Sequence, residues 1–228
     1  MRDTALDSRL ASVSALVRQD AILADIGTDH AYLPIFLLGA GRIRRAILAD
    51  INPGPLASAR EHALEAGLLQ SVELYLTDGA AALSETGATD YTICGMGGEL
   101  IADIIDRAPH LHSADIRLIL QPMTRQGALR TYLYKNGFDI LAESYSEAEG
   151  KFYLTMLVGY TGVEKTIGEI DAEVGICGEI IGADAYFGYV NAKIRQLERI
   201  IENKTRAKAE TGVENTLLSR WREALLAR

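Results

Sequence analysis

Five short apolar runs, each closed by a polar or glycine-rich turn, alternate with helical segments over the first two thirds of this 228-residue chain. The runs are 21–26, 45–51, 72–76, 91–94 and 117–120. They end in turn at Gly27, at Asn52-Pro53-Gly54-Pro55, at Thr77-Asp78-Gly79, at Gly95-Met96-Gly97-Gly98 and at Gln121-Pro122. Helical stretches such as 56–66 and 127–136 lie between them. Strand and helix in alternation make βαβ units, whose crossovers are right-handed and whose sheet is mostly parallel. Two further strand-like runs, 138–146 and 151–160, are separated by only four residues. That is too short for a crossover, so the pair is expected to form a hairpin and to bring an antiparallel strand into the sheet.

From about Thr161 no further strand pattern is visible. Val190, Ile194, Leu197 and Ile201 form one helical stripe, and Leu217, Trp221 and Leu225 a second. Thr211-Gly212 breaks the chain between them, so an antiparallel helix pair is expected. The organisation read from this is an α/β domain over residues 1–160 and a helical C-terminal domain over 161–228. Charge divides the same way. Residues 1–160 hold 13 Lys and Arg against 20 Asp and Glu, a net −7, whereas residues 186–228 hold 9 against 5, a net +4. A basic segment on an acidic protein can form a local phosphate-binding face, or it can be a solvated helix surface. The hydrophobic fraction of 48% and charged fraction of 24% are those of an ordinary globular protein. No apolar run approaches the ~20 residues of a membrane span, and no signal-peptide core is present, so a cytoplasmic protein with no membrane partner is expected. Cys94 and Cys177 lack metal-ligand spacing and are expected to be buried, reduced thiols. The oligomeric state, monomer or weak homodimer, is left open.

The acidic and glycine-rich turns all fall at the carboxyl ends of the expected strands, where open α/β sheets bind their ligands. Asp25-Ile26-Gly27-Thr28-Asp29-His30 leaves the first strand. Gly27 lets the backbone approach a ligand closely. A G-x-G-x-x-G run is absent, which argues against a pyrophosphate and for a ligand with an amino-acid end, whose ammonium group Asp25 can receive. A strand-end turn with no ligand uses the same residues. Asp50 closes the second strand 25 residues after Asp25, the placing of a carboxylate that takes ribose hydroxyls. Ile51 and Asn52 continue its turn. Asp78-Gly79 ends the third strand, where a carboxylate can accept the exocyclic amine of adenine. The three carboxylates together define one trough for an adenosine-containing cofactor.

Gly95-Met96-Gly97-Gly98 offers a backbone surface with little side-chain bulk, against which a flat base can slide. Tight strand-to-helix packing explains Gly97 and Gly98 equally well. Gln121 brings a donor and an acceptor to the same rim, or satisfies loop backbone there. Asp29, His30 and Tyr32, just beyond the first turn, are the candidate catalytic residues, although a lone histidine is more often structural. His62, His110 and His112 are expected at the surface. No metal-ligand set, P-loop or Ser-His-Asp constellation is present, and no metal is expected.

Taken in order, Asp25-Ile-Gly-Thr-Asp-His-Ala-Tyr-Leu-Pro34, Asp50-Ile-Asn-Pro-Gly-Pro-Leu56, Gly95-Met-Gly-Gly98 and Leu118-Ile-Leu-Gln-Pro122 resemble the bacterial TrmK family of tRNA (adenine-N1)-methyltransferases, which act on adenine-22 of tRNA. The resemblance is close over roughly residues 5–160 and looser over the tail. It implies a Rossmann-like methyltransferase sheet with its last strand antiparallel, a C-terminal α-helical, coiled-coil-like domain, S-adenosyl-L-methionine as cofactor and tRNA as partner. The cofactor set implied is Asp25, Gly27, Asp50, Ile51, Asn52, Asp78, Gly79, Gly95, Met96 and Gln121. The chemistry suits so plain a site. Adenine N1 is a neutral nucleophile, so positioning alone can supply ~7–11 kcal/mol of the barrier. The product base is cationic, and a carboxylate such as Asp29 can stabilise the developing charge. N1 lies on the Watson–Crick edge, so the base must be unpaired or extruded. The competing reading is a small-molecule or protein methyltransferase on the same fold, with the tail serving dimerisation.

Overall fold

The computed structural model describes residues 6–175 and 179–226. In chain order the elements are α1 (Ser8–Leu16), β1 (Ala21–Ile26), α2 (Tyr32–Gly39), β2 (Ile43–Asp50), α3 (Pro53–Glu65), β3 (Val72–Leu76), β4 (Asp90–Gly97), α4 (Gly98–Asp106), β5 (Arg117–Thr124), α5 (Gln126–Lys135), β6 (Phe138–Ala148), β7 (Lys151–Tyr160), α6 (Glu169–Val174), β8 (Glu179–Ile181), α7 (Ala183–Arg206) and α8 (Gly212–Leu226). They build one sheet in the order β3-β2-β1-β4-β5-β7-β6-β8. The chain leaves β1 towards β2 on one side and later returns to β4 on the other, so the switch in strand order lies between β1 and β4.

Parallel strands covered on both faces carry apolar residues at nearly every position. β1 does so from Ala21 to Ile26, and side-chain alternation sorts its residues between two cores. Leu23 and Leu48 join a cluster with Leu16, Leu33 and Leu37 of α1 and α2. Ala24 and Ile47 join a second with Ile101, Leu129 and Leu133 of α4 and α5. That second cluster runs without a break into Tyr189, Val190, Leu197 and Trp221 of the two C-terminal helices. Among the described residues no helix is long and apolar enough to cross a membrane.

The sheet is mostly parallel with one antiparallel strand, as expected, and several details add to or differ from the sequence reading. β4 and β5 run on to Gly97 and Thr124, past the turn residues expected to stop them, because they stay paired through register shifts around Met96. Of the terminal hairpin, only β7 is reversed. It slots between β5 and β6, and β6 runs parallel to the first five strands. The tail also contributes a strand, since β8 pairs in parallel with β6 over Ala142–Ser144. Three residues beside Gly182 carry too little pattern to be read as a strand. Cys177 lies outside the described residues, and Cys94 is half-buried rather than buried.

A buried ion pair ties the sheet to the tail. Arg130 of α5 is fully buried, and its Nε and Nη2 both lie 2.7 Å from Glu143 Oε1 on β6. Its Nη1 donates to the carbonyls of Ala172 and Glu173 in α6 at 2.7 and 3.1 Å. The Tyr145 hydroxyl donates to the second oxygen of Glu143 at 2.6 Å. We expect Glu143→Ala, which strands a buried guanidinium, to cost about 3–5 kcal/mol in chemical denaturation.

Candidate active site

The β1–α2 turn is built from a left-handed residue at every second position, Gly27 at φ +74°, Asp29 at +45° and Ala31 at +56°. Only glycine adopts that region without cost, so Asp29 and Ala31 are strained positions held by their surroundings. The hold is visible in the hydrogen bonds. Gly27 donates to the carbonyl of Ala49 at 2.8 Å, Ala31 donates to that of Thr28 at 2.8 Å, and the Ala31 side chain is fully buried. Gly27 also cannot carry a side chain for want of space, because a Cβ there would lie 2.3 Å from Met96 Cε. The first and fourth strand-end turns therefore touch, across the switch point.

Asp25 lies beneath this contact, 7% exposed, and Thr92 of β4 donates to its Oδ1 at 2.6 Å. Burial pushes the carboxyl above its ordinary value, partly opposed by its hydroxyl partners and reinforced by the Asp50 charge. Cys94 sits beside it, and burial, with the Asp25 charge adding, holds its thiol well above the usual range. Asp50 ends β2 half-buried, and its Oδ1 accepts from the Asn52 backbone at 2.8 Å, which aims the carboxylate and fixes the turn that exposes Ile51 and Asn52. Asp78 lies in the turn that follows β3, as expected, but its carboxylate is shared with Arg107, the residue that caps α4, at 2.8 Å. Gly79 packs under Ile104.

The four residues of the glycine turn divide by role. Gly98 is demanded by packing, because a Cβ would fall 2.4 Å from the Arg125 carbonyl oxygen. Gly97 faces Thr124 more loosely, and Gly95, at φ +77°, has open space where a Cβ would be. The turn is held from below by Gln121, whose side chain is fully buried. Gln121 accepts from the Gly95 backbone at 3.0 Å and from Arg9 of α1 at 3.3 Å, and donates to Met123 Sδ at 3.3 Å. These bonds are all internal to the protein.

At the mouth of the groove, His30, Tyr32 and His62 form a cluster of rings with centroids 5.4–5.6 Å apart. Tyr32 is 47% exposed. His62, expected at the surface, is half-buried, with its Nδ1 2.9 Å from the His30 carbonyl and its ring stacked on Tyr32. Its position in the last turn of α3 gave no sign of this, because the pairing depends on the neighbouring loop. His110 and His112 are also half-buried rather than at the surface. His110 meets the Tyr91 hydroxyl at 3.2 Å, and burial lowers its pKa and lifts that of Tyr91 to about 12. His112 packs on Phe138 and Tyr160. The carboxylate of Asp29 is open to solvent, 3.6 Å from His30 Nε2. One polar atom of this turn, His30 Nδ1, is buried with no hydrogen-bond partner among the described residues. Buried polar groups are rarely left unpaired, so it marks a place where a ligand belongs. A glycine turn with carboxylates at the neighbouring strand ends and an unpaired polar atom beside it fits a nucleoside with a charged amino-acid end.

The model of the methyltransferase domain family matches residues 6–156. The tRNA (adenine(22)-N(1))-methyltransferase of Bacillus subtilis is 35% identical over 153 residues, which span 67% of this chain and 64% of that enzyme. A crystal structure from Streptococcus pneumoniae, described as that of a candidate tRNA (m1A22) methyltransferase, superposes with a TM-score of 0.83 at 32% identity, covering 97% of this chain and 100% of that one. A second crystal structure of the same streptococcal protein contains S-adenosyl-L-methionine and gives a TM-score of 0.82 over the same shares.

A pH test follows from Asp25. Its carboxyl binds a proton more tightly folded than unfolded, so the fold loses stability as pH climbs from the ordinary value of 3.8 through the raised one. Asp25→Asn keeps the acceptor for Thr92 without the buried charge. We expect it to melt roughly 2–4 °C higher at neutral pH, the shift that about 1 kcal/mol gives in a chain of this size. The advantage should shrink as pH falls towards 3.8, which a series of thermal melts will show.

Proposed function

This chain belongs to the methyltransferase domain family, and we propose that it methylates N1 of adenine-22 in tRNA with S-adenosyl-L-methionine as donor. One observation carries the choice of substrate. The family model ends at residue 156, whereas the likeness to the streptococcal protein covers 97% of the chain and so takes in the tail. A likeness confined to the sheet would be equally at home in a methyltransferase for a small molecule.

The cofactor supplies, when bound, a methyl group on a cationic sulfur. Asp50 is the residue to hold its ribose hydroxyls, and Asp25 lies where an ammonium group would relieve the cost of its buried charge. Asp78 offers a carboxylate to the adenine end, with Arg107 beside it. Gly95 and Met96 line the turn that Gln121 sets in place, which makes Gln121 a positioning residue rather than a direct contact. The acceptor nitrogen is neutral and needs no base to become a nucleophile. The chain has therefore to orient the extruded base, exclude water and offset the positive charge that the base acquires. Asp29, solvent-facing at the lip of the groove, is placed for the last task, and His30, Tyr32 and His62 offer flat faces for stacking.

The basic tail is less free than its composition suggests. Lys204 is paired with Glu214, Arg206 with Glu202, Arg220 with Asp171 and Arg222 with Glu198. Lys193 lies 5.3 Å from the centre of the Tyr189 ring, and burial lowers its pKa. Arg195 and Arg199, four residues apart on α7, are exposed and have no ion pair among the described residues. They are the pair on this helix best placed to meet phosphates.

The decisive experiment is to incubate the protein with methyl-labelled cofactor and total bacterial tRNA, then map the modified nucleoside. Label at adenine N1 of position 22 is expected, and label in protein or small molecules alone would return the other reading. Asp50→Ala should weaken cofactor binding by about 1.5–3 kcal/mol in calorimetry, the worth of hydrogen bonds to a charged group. Replacing Arg195 and Arg199 together by Gln should lower tRNA affinity and flatten its salt dependence by about 0.7–0.9 for each phosphate no longer neutralised. Cofactor affinity should not change.

A further inference from the structure

Three carboxylates border the site, Asp25 and Asp50 at the ends of β1 and β2 and Asp78 in the turn after β3. An amino-acid end carries a carboxylate as well as an ammonium group, and a further anion brought among these charges needs a cation to receive it. Arg107, beside Asp78, is already committed, at 2.8 Å to Asp78 and 3.0 Å to Asp103. Arg9 of α1 is not.

The first turn of α1 is docked at the carboxyl rim. Asp7 caps the helix by accepting from the Leu10 backbone at 2.7 Å, and Ser8 donates to the carbonyl of Glu147 near the end of β6. Arg9 is thereby brought to the end of β5. Its Nη1 donates to Gln121 Oε1 at 3.3 Å, the same oxygen that accepts from the Gly95 backbone at 3.0 Å. The guanidinium and the glycine turn are therefore neighbours across one atom. The residue before Gly95 is Cys94, and its thiol feels Arg9 and Asp25 together, the first lowering its pKa and the second raising it. Arg9, Gly95 and Asp25 thus meet where β1, β4 and β5 end.

The guanidinium is held in place without being used up. It lies 5.9 Å from the centre of the Tyr153 ring, within the range at which an aromatic face attracts a cation. Of its five N–H donors, Gln121 takes one among the described residues. The carboxylate paired with it, Asp7, stands off at 3.8 Å and is 50% exposed. The Arg9 side chain is itself 26% exposed, open to a ligand yet sheltered enough for its charge to count.

We propose that Arg9 receives the carboxylate of the cofactor's amino-acid end, with Asp25 taking the ammonium group on the same carbon. A guanidinium fork matches a carboxylate in shape as well as charge. The inference rests on the cofactor being S-adenosyl-L-methionine.

Calorimetry on the full-length protein tests it with two probes. One is S-adenosyl-L-homocysteine, and the other is its decarboxylated counterpart, which keeps the nucleoside and the ammonium group but lacks the anion. The parent should bind the first at least about tenfold more tightly. Arg9→Gln keeps a donor for Gln121 and removes the charge. It should weaken S-adenosyl-L-homocysteine about ten- to a hundredfold, the range for a hydrogen bond to a charged group, and change the decarboxylated probe less than about twofold. Arg9→Lys, with the charge but not the fork, should recover part of the loss. Equal losses for both probes would mean that Arg9 only holds the turn through Gln121, and would overturn the proposal. So would unchanged affinity in Arg9→Gln, or a parent that binds both probes alike, a comparison that stands whether or not the variant folds. A parent that binds neither probe would instead overturn the cofactor assignment.

Discussion

The buried pair between Arg130 and Glu143 is the interaction on which the arrangement of the two ends of the chain depends. One guanidinium meets a strand carboxylate and two carbonyls of α6, and the carboxylate in turn fixes Tyr145. Tyr145 packs on Tyr186 and Tyr189, which begin the long tail helix. Charges removed from water are tolerated only when nearly all their hydrogen-bonding capacity is used, so geometry here is over-determined rather than merely allowed. Gly175 shows how tight it is, since a Cβ there would lie 2.7 Å from Arg130 Nη2. The tail is thus fixed to the sheet beside the carboxyl rim.

The same logic of neighbouring elements explains what could be read from the sequence. The five parallel strands were legible because burial on both faces leaves uninterrupted apolar runs, and the carboxylates stood out at the ends of the first three. Asp25, Gly27 and Asp50 fall where they were expected. β8 was not legible, as three residues carry no periodicity. The reversal of β7 followed from the short connection, but its insertion between β5 and β6 did not, because pairing partners are a property of the assembled sheet.

Side-chain commitments were the less visible part. Gln121 was open to two readings, a ligand contact or a support for loop backbone, and only the structure shows its side chain buried beneath the turn it holds. Asp78 read as an acceptor for adenine at the end of the third strand, with no sign that it also pairs with Arg107. His62 read as surface and stacks on Tyr32. Each depends on a residue distant in sequence, Gly95 by 26 positions, Arg107 by 29 and His30 by 32. Pattern within a strand or helix carries no information on such partners. The net charge of the tail misled for the same reason, as Glu198, Glu202 and Glu214 had already claimed much of it.

The position of β7 also bears on how the chain is made. As the ribosome delivers residues in order at about 5–20 per second, β5 is complete well before the strand that will cover its edge. Until β7 emerges, a row of unpaired backbone groups from Arg117 to Leu120 faces outward, the kind of edge to which other nascent chains adhere. The two-residue turn at Glu149 and Gly150, both left-handed, shortens that interval to its minimum. Once Lys151 and the residues after it appear, β6 and β7 can zip locally in about 1–10 μs, far faster than synthesis adds the next residue. The vulnerable edge is then closed by a preformed ribbon rather than by a lone strand searching for its slot.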